Sequence, residues 1–332
     1  VGGGTWSTDA YTTKHDTLRR AGKSSFGYTD DTLSRVSRDQ WKPHDLLNIH
    51  GVDVRESRDS DEHPESVAVT VMFDVTASMG RIPRTLQTKL PELFGLLLRK
   101  GYLEHPQLMF GGIGDTVCDR VPIQISQWES DNRSDDQLGN LVLEGGGGGQ
   151  FHESYELSMY FLARHTSMDC LEKRGKKGYL FLIGDELARD VSAKDVQNHI
   201  GDGLEADIPL ADIAEELKQK FDVFFIIPRA ADAYGRQQEL FDFWNDLFPE
   251  RTLHLEDPEA VCEAIALAIG MNEGAIDLDE GADHLAEAGT DIQTINVVKT
   301  ALATVGSKTV ATAKVEGTLE VGGADTDDVD RL

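Results

Sequence analysis

Cysteine is scarce in this chain: Cys118, Cys170 and Cys262 are the only three in 332 residues, with no close pair and no metal-like spacing. That excludes a disulfide framework and a thiolate metal site, and it reads as reduced, mostly buried thiols in a cytoplasmic protein. Long apolar runs are lacking too. No stretch approaches the roughly 18 residues a membrane span requires, and Val1 to Trp6 has neither the basic segment nor the apolar core of a secretory signal. Positive charge is outnumbered, with 32 Lys plus Arg against 59 Asp plus Glu and a formal net charge of -27. Such a balance repels a phosphate backbone and makes nucleic acid a poor partner, while it suits a protein kept soluble at very high salt. Several catalytic signatures are also absent: a Gly-x-Ser-x-Gly elbow, a His-Glu-x-x-His pair, a phosphate loop ending in Gly-Lys-Ser/Thr, and a dinucleotide fingerprint.

What is present is one large domain with additions at both ends. Residues 1–65 are polar and rich in Ser, Thr, Asp and Arg, which predicts an extended arm or a small irregular cap and linker. Its scattered aromatics, Trp6, Tyr11, Phe26, Tyr28 and Trp41, are suited to pinning the arm to the main domain or to a neighbouring subunit. The run from Arg55 to Glu65 is too charged for a core and reads as a solvated linker.

From 66 to 271 apolar strands alternate with helices. Strands are predicted at Val67–Phe73, Leu108–Ile113, Val121–Ile125, Gly178–Ile183, Val223–Ile227 and Arg251–Leu255. Helices are predicted at Ile82–Lys100, Asp135–Glu144, after the five glycines Gly145–Gly149, Ala193–Ile200, Leu210–Lys220, Arg236–Leu247 and Pro258–Met271. Nearly continuous apolar strands separated by helices imply a doubly wound α/β fold, with a mostly parallel, Rossmann-like sheet and helices on both faces. Pro122 assigns the Val121–Ile125 segment to an antiparallel edge. Beyond 271 the chain is acidic, with a helix near Ile292–Val305, an alternating stretch Thr309–Val321 that suits a hairpin or an added strand, and a disordered end. The basic island Lys173–Lys177 reads as a solvated turn or as a dock for an acidic surface.

Asp74-Val75-Thr76-Ala77-Ser78 closes the first strand abruptly and delivers three oxygen ligands at its carboxyl end. The glycine loop with Gln150 to Glu153, and Asp185 after a later strand, should reach the same edge, where ligands bind in open α/β sheets. Two carboxylates, two hydroxyls and a polar loop form a hard-oxygen site. It suits Mg²⁺, with Mn²⁺ or Ca²⁺ as competitors, and holds Zn²⁺ or Cu²⁺ poorly. His152 fits a surface histidine, and Asp115 and Asp119 fit either the rim of the site or a turn.

The Asp-x-Thr-x-Ser motif of residues 74–78 resembles the signature of the von Willebrand factor type A family, and the resemblance extends over about residues 66–271. The glycine loop resembles that family's second metal loop and Ile183-Gly184-Asp185 its third. The resemblance implies a metal-ion-dependent adhesion site: Thr76 and Ser78 as direct ligands, Asp74 and Asp185 acting mostly through water, and an open coordination position for a partner's carboxylate. It also implies a non-enzymatic interaction module, and an AAA+ ATPase or another complex subunit as the class of partner. The family's usual Thr after the glycines is replaced by Gln150, so the second-loop ligand is either Gln150 or Glu153. Two other readings remain open: a structural subunit assembled through its terminal arms into a homo-oligomer, and a metal-assisted hydrolase in which the cation activates water beside Glu153 or Glu186 as base.

Overall fold

A computed structural model describes residues 3–76, 79, 81–145, 151–229 and 236–316, with side chains as far as residue 305. The arm contains helices α1 (Thr8–Arg20) and α2 (Gly27–Arg35) and a short strand β1 (Arg55–Ser57). Then follow β2 (Val67–Asp74), α3 (Ile82–Arg99), β3 (Pro106–Ile113), β4 (Ile123–Ile125), α4 (Arg133–Gly139), α5 (Tyr155–Arg164), β5 (Thr166–Met168) and α6 (Asp169–Arg174). The second half runs β6 (Gly178–Ile183), α7 (Ala193–His199), α8 (Leu210–Lys220), β7 (Phe221–Pro228), α9 (Gln237–Leu247), β8 (Thr252–Leu255), α10 (Val261–Asn272), α11 (Leu278–Glu287) and α12 (Ile292–Glu316).

The six-stranded sheet has the order β4-β3-β2-β6-β7-β8, all parallel except β4, which pairs antiparallel with β3 at the edge. This is a doubly wound α/β fold. Strand β2 shows why the sheet is covered on both faces. Val67, Val69, Val71 and Phe73 enter one core with α3, α10, α11 and α12. Ala68 and Met72 enter the other with α5, α7, α8 and α9. Successive side chains on a strand point to opposite faces, so a run apolar on both faces must be buried twice. Among the described residues no helix is long and apolar enough to cross a membrane. Cys170 and Cys262 are buried thiols, and Cys118 is half-buried.

The termini differ from the expectations. Far from being extended, the arm is helical and packed: Trp6 stacks on Phe94 with centroids 4.3 Å apart, the Tyr11 hydroxyl donates to the Gln87 carbonyl at 2.8 Å, and Phe26, Leu47 and Ile49 are buried. The expected linker is not solvated throughout, since β1 pairs in parallel with β5 as a separate two-stranded sheet. At the other end, Ile276, Leu285, Ile295, Val298 and Leu302 join the same core cluster as α10. Packing is therefore continuous across the boundary placed at 271. Residues 309–316, expected as part of a hairpin or strand, lie within helix α12; residues 317–332, with the rest of that stretch and the expected disordered end, lie outside the described residues.

Candidate functional site

Strands β2 and β6 are neighbours, but the chain leaves β2 for β3 on one side and β6 for β7 on the other. The crevice beyond their carboxyl ends is the topological switch point of the sheet, where a ligand meets loops from both halves. Asp74 is the last residue of β2 and is fully buried. Its Oδ1 accepts the Thr76 backbone N–H at 2.6 Å, a local turn that redirects the chain. Its Oδ2 is buried with no hydrogen-bond partner among the described residues. Thr76 and Asp185 are also buried, Asp185 two residues past β6. Glu153 precedes α5, is held by its N–H on the Leu187 carbonyl at 3.0 Å, and buries an Oε2 with no hydrogen-bond partner among the described residues.

Of the six residues expected to hold a cation, Asp74, Thr76, Glu153 and Asp185 come together at this end. Ser78 and Gln150 lie outside the described residues.

The acids disturb one another. Burial, then the charge of Asp185, pushes the Asp74 carboxyl well above the usual range. Burial raises Glu153 as well, reinforced by Asp74, Glu186, Asp115 and Asp119. Glu186 is pushed up to about 7 by burial and by Asp185 and Asp115, with Arg189 opposing. That Arg189 guanidinium is engaged elsewhere: it grips Asp115 through Nη1 to Oδ1 at 2.8 Å and Nη2 to Oδ2 at 3.3 Å, and donates to the His152 carbonyl at 3.2 Å. Asp115 also accepts the Val117 N–H at 3.0 Å, so it serves the rim and the turn at once. Asp119 accepts the Asp115 N–H at 2.8 Å through Oδ2 and buries an Oδ1 with no hydrogen-bond partner among the described residues. The His152 imidazole is held below its ordinary pKa by burial and by Arg189, which keeps it a neutral bystander.

Two further side chains border the site, Glu186 and Tyr155, and only the Tyr155 hydroxyl escaped the sequence reading. Glu186, a base candidate in the hydrolase reading, follows Asp185 directly and buries an Oε2 that has no hydrogen-bond partner among the described residues. Tyr155 opens α5 and reads as core, which it is, edge-on to Phe225 and Trp244 at centroid distances of 5.6 and 5.2 Å. Its buried hydroxyl nonetheless has no hydrogen-bond partner among the described residues, and it lies so close to Gly184 that a Cβ there would sit 1.7 Å from it. Nothing in the sequence marks that hydroxyl.

Buried carboxylate oxygens without donors are costly, and a hard cation is the ligand that relieves them. In that sense the residues fit one. Among the described residues, however, no group of three His, Cys, Asp or Glu side chains is placed to hold a metal ion. A cation here would rest on two carboxylates completed by hydroxyl and water oxygens, not on a three-acid cage.

No family model and no curated protein matches the chain. Among solved structures it is similar to the pilus adhesin SpaC from Lactobacillus rhamnosus GG in its open conformation, with a TM-score of 0.45 and 10% identity over 65% of this chain and 31% of the adhesin. A second structure of that adhesin gives 0.43 and 10% over 65% and 32%. Proximal thread matrix protein 1 from the mussel byssus gives 0.38 and 10% over 61% of this chain and 47% of that one. The chain thus spans less than a third of the adhesin's length.

Proposed function

We propose that the chain is a non-catalytic, divalent-cation-dependent protein-interaction module of the von Willebrand factor A type. In this reading two carboxylates, Asp74 and Glu153 from the second loop, hold Mg²⁺ at the switch point with the Thr76 hydroxyl and water oxygens, and Asp185 acts through that water. The bound ion supplies an electrophilic position for a carboxylate oxygen of a partner protein, such as an ATPase or another subunit of a complex. Asp74 fixes the Thr76 turn through one oxygen and keeps the other for the ion or its water. Burial favours the protonated forms of Glu153 and Glu186, so binding of a dication would release protons from them and strengthen as pH rises.

The observation that carries this reading is the pair of buried oxygens, Asp74 Oδ2 and Glu153 Oε2, which have no hydrogen-bond partner among the described residues where the two halves of the sheet meet. Assembly through the N-terminal arm is less favoured, because Trp6, Tyr11 and Phe26 are spent on the chain's own domain.

Calorimetric titration of the chelator-treated protein with MgCl₂, MnCl₂ and CaCl₂ tests it. Saturable binding that disappears in Asp74→Ala and Asp185→Ala, with unchanged circular dichroism, is the expected result. A ligand at 100 times its Kd stabilises by about 2.7 kcal/mol, so the melting temperature should rise with Mg²⁺ in the wild type alone. Absence of binding by all three ions would overturn the reading.

A further inference from the structure

Between the arm and the first turns of α3 lies an open cavity of about 420 Å³ whose charge runs against that of the whole chain. Its walls include His15, Arg19, Lys23, Ser25, Arg84 and Thr88, and among the described residues no Asp or Glu lines it. In a chain with 59 acids to 32 Lys plus Arg, that composition is a strong local reversal. The cations there are also under-used. Neither Arg84 nor Lys23 has an ion-pair partner among the described residues, and the Arg84 guanidinium lies over the Phe26 ring at 5.4 Å. Arg19 has one exposed partner, Asp16, through Nη2 at 2.7 Å.

Behind them, His15 Nε2 lies 3.0 Å from Oδ2 of the buried Asp135, and its Nδ1 lies 3.1 Å from Ser25 Oγ. Asp135 therefore fixes the proton on Nε2 and orients the ring, which sets the position of the Ser25 hydroxyl on the wall.

We propose that this cavity binds a phosphate group, either the free ion or a small phosphomonoester. Two guanidinium groups and one ammonium match the charge and the several oxygens of a phosphoryl dianion, and hydroxyls beside them add neutral donors. The volume is that of a small-molecule site. Arg19, Lys23 and Ser25 belong to the arm, whereas Arg84 and Thr88 belong to α3, so the ligand would fasten one to the other.

The test is titration of the full chain with inorganic phosphate and with glucose 6-phosphate, at ionic strength matched by NaCl and followed by ³¹P NMR. Saturable binding is expected, weakened at least about tenfold, or about 1.4 kcal/mol, in Arg84→Gln and in Lys23→Ala, both exposed substitutions. Tryptic cleavage after Arg19, Arg20 and Lys23 should slow in phosphate relative to chloride. Binding of both probes assigns a monoester site, and binding of inorganic phosphate alone assigns the free ion. No saturable binding, or binding unchanged in both variants, overturns the proposal.

Discussion

Strands β2 and β6 meet acidic residues at both ends, and the two ends treat them oppositely. At the amino end Asp59 accepts from Arg174 at 2.8 and 3.1 Å, from Lys173 at 3.2 Å, and from the Ser66 hydroxyl and N–H at 2.7 and 3.0 Å. Asp169 beside it is held by Arg58 at 2.9 Å and Lys173 at 2.7 Å. At the carboxyl end Asp74, Glu153 and Glu186 each bury an oxygen that has no partner among the described residues. The basic island Lys173–Lys177 is consequently neither a bare turn nor a free dock: Lys173, Arg174 and Lys176 are taken by Asp59, Asp169 and Glu273. One end of the scaffold is satisfied and stabilises the fold. The other carries buried carboxylate oxygens that lack donors among the described residues, which is costly to the fold.

The largest expected contrast is in the pH dependence of stability. At the amino end burial would raise Asp59, but Arg174, Ser66 and Lys173 together hold it well below the usual carboxylate range. Its contribution is present above the ordinary Asp pKa and is lost as pH falls through the depressed value. In the first turn of α5, Glu156 is raised by burial to about 8 from 4.5. Its neutral form is the one the fold accepts, so stability falls as pH rises between those values, by at most about 5 kcal/mol. Urea unfolding between pH 4.5 and 8 should show Glu156→Gln flattening that decline, and an unchanged slope would refute the assignment.

Removing Asp59 should come next. Asp59→Ala strips Arg174 and Lys173 of their shared partner and is expected to cost about 3 kcal/mol, measured by urea midpoint at pH 7. Gly184→Ala drives a methyl into the Tyr155 hydroxyl and should cost about 2 kcal/mol; Tyr155→Phe in that background should recover part of the loss, and no recovery would mean that the hydroxyl is not the obstacle. The smallest effect has the opposite sign. In chelator, Asp74→Asn keeps an acceptor for Thr76 and removes a buried charge, so it should stabilise by about 1 kcal/mol, whereas Asp59→Asn should destabilise. Equal signs at the two ends would break the comparison.

The main sheet was legible because its strands are extreme: Val67–Phe73 is apolar but for Thr70, Phe224–Ile227 is apolar without interruption, and burial on both faces leaves them no other place. Asp74 and Asp185 were legible for the reverse reason, as acids ending such runs. Helix α1 was not, because none of its residues is fully buried and it has no apolar stripe, although Ser7 caps it by accepting the Ala10 N–H. Strands β1 and β5, Arg-Glu-Ser and Thr-Ser-Met, exist through their pairing and not through propensity. In α12 residues 309–316 alternate in a strand-like way yet continue a helix begun upstream, where Ile295, Val298 and Leu302 pack at helical spacing. Glu153 was visible as a candidate, but the hydroxyl of Tyr155 belongs to a side chain whose ring accounts for its burial.

The placement of Asp74 and Asp185 on adjacent strands, far apart in the chain, also bears on time. A folding intermediate that has joined only β2 to β3, or only β6 to β7, contains half of the switch point. A ligand that bridges the halves has nothing to grip until both have docked, and late, non-local pairing of this kind is slow. Such a ligand should leave the refolding rate almost untouched and slow the unfolding rate instead. Persistence of the folded state, more than its formation, is then what ligand concentration would control.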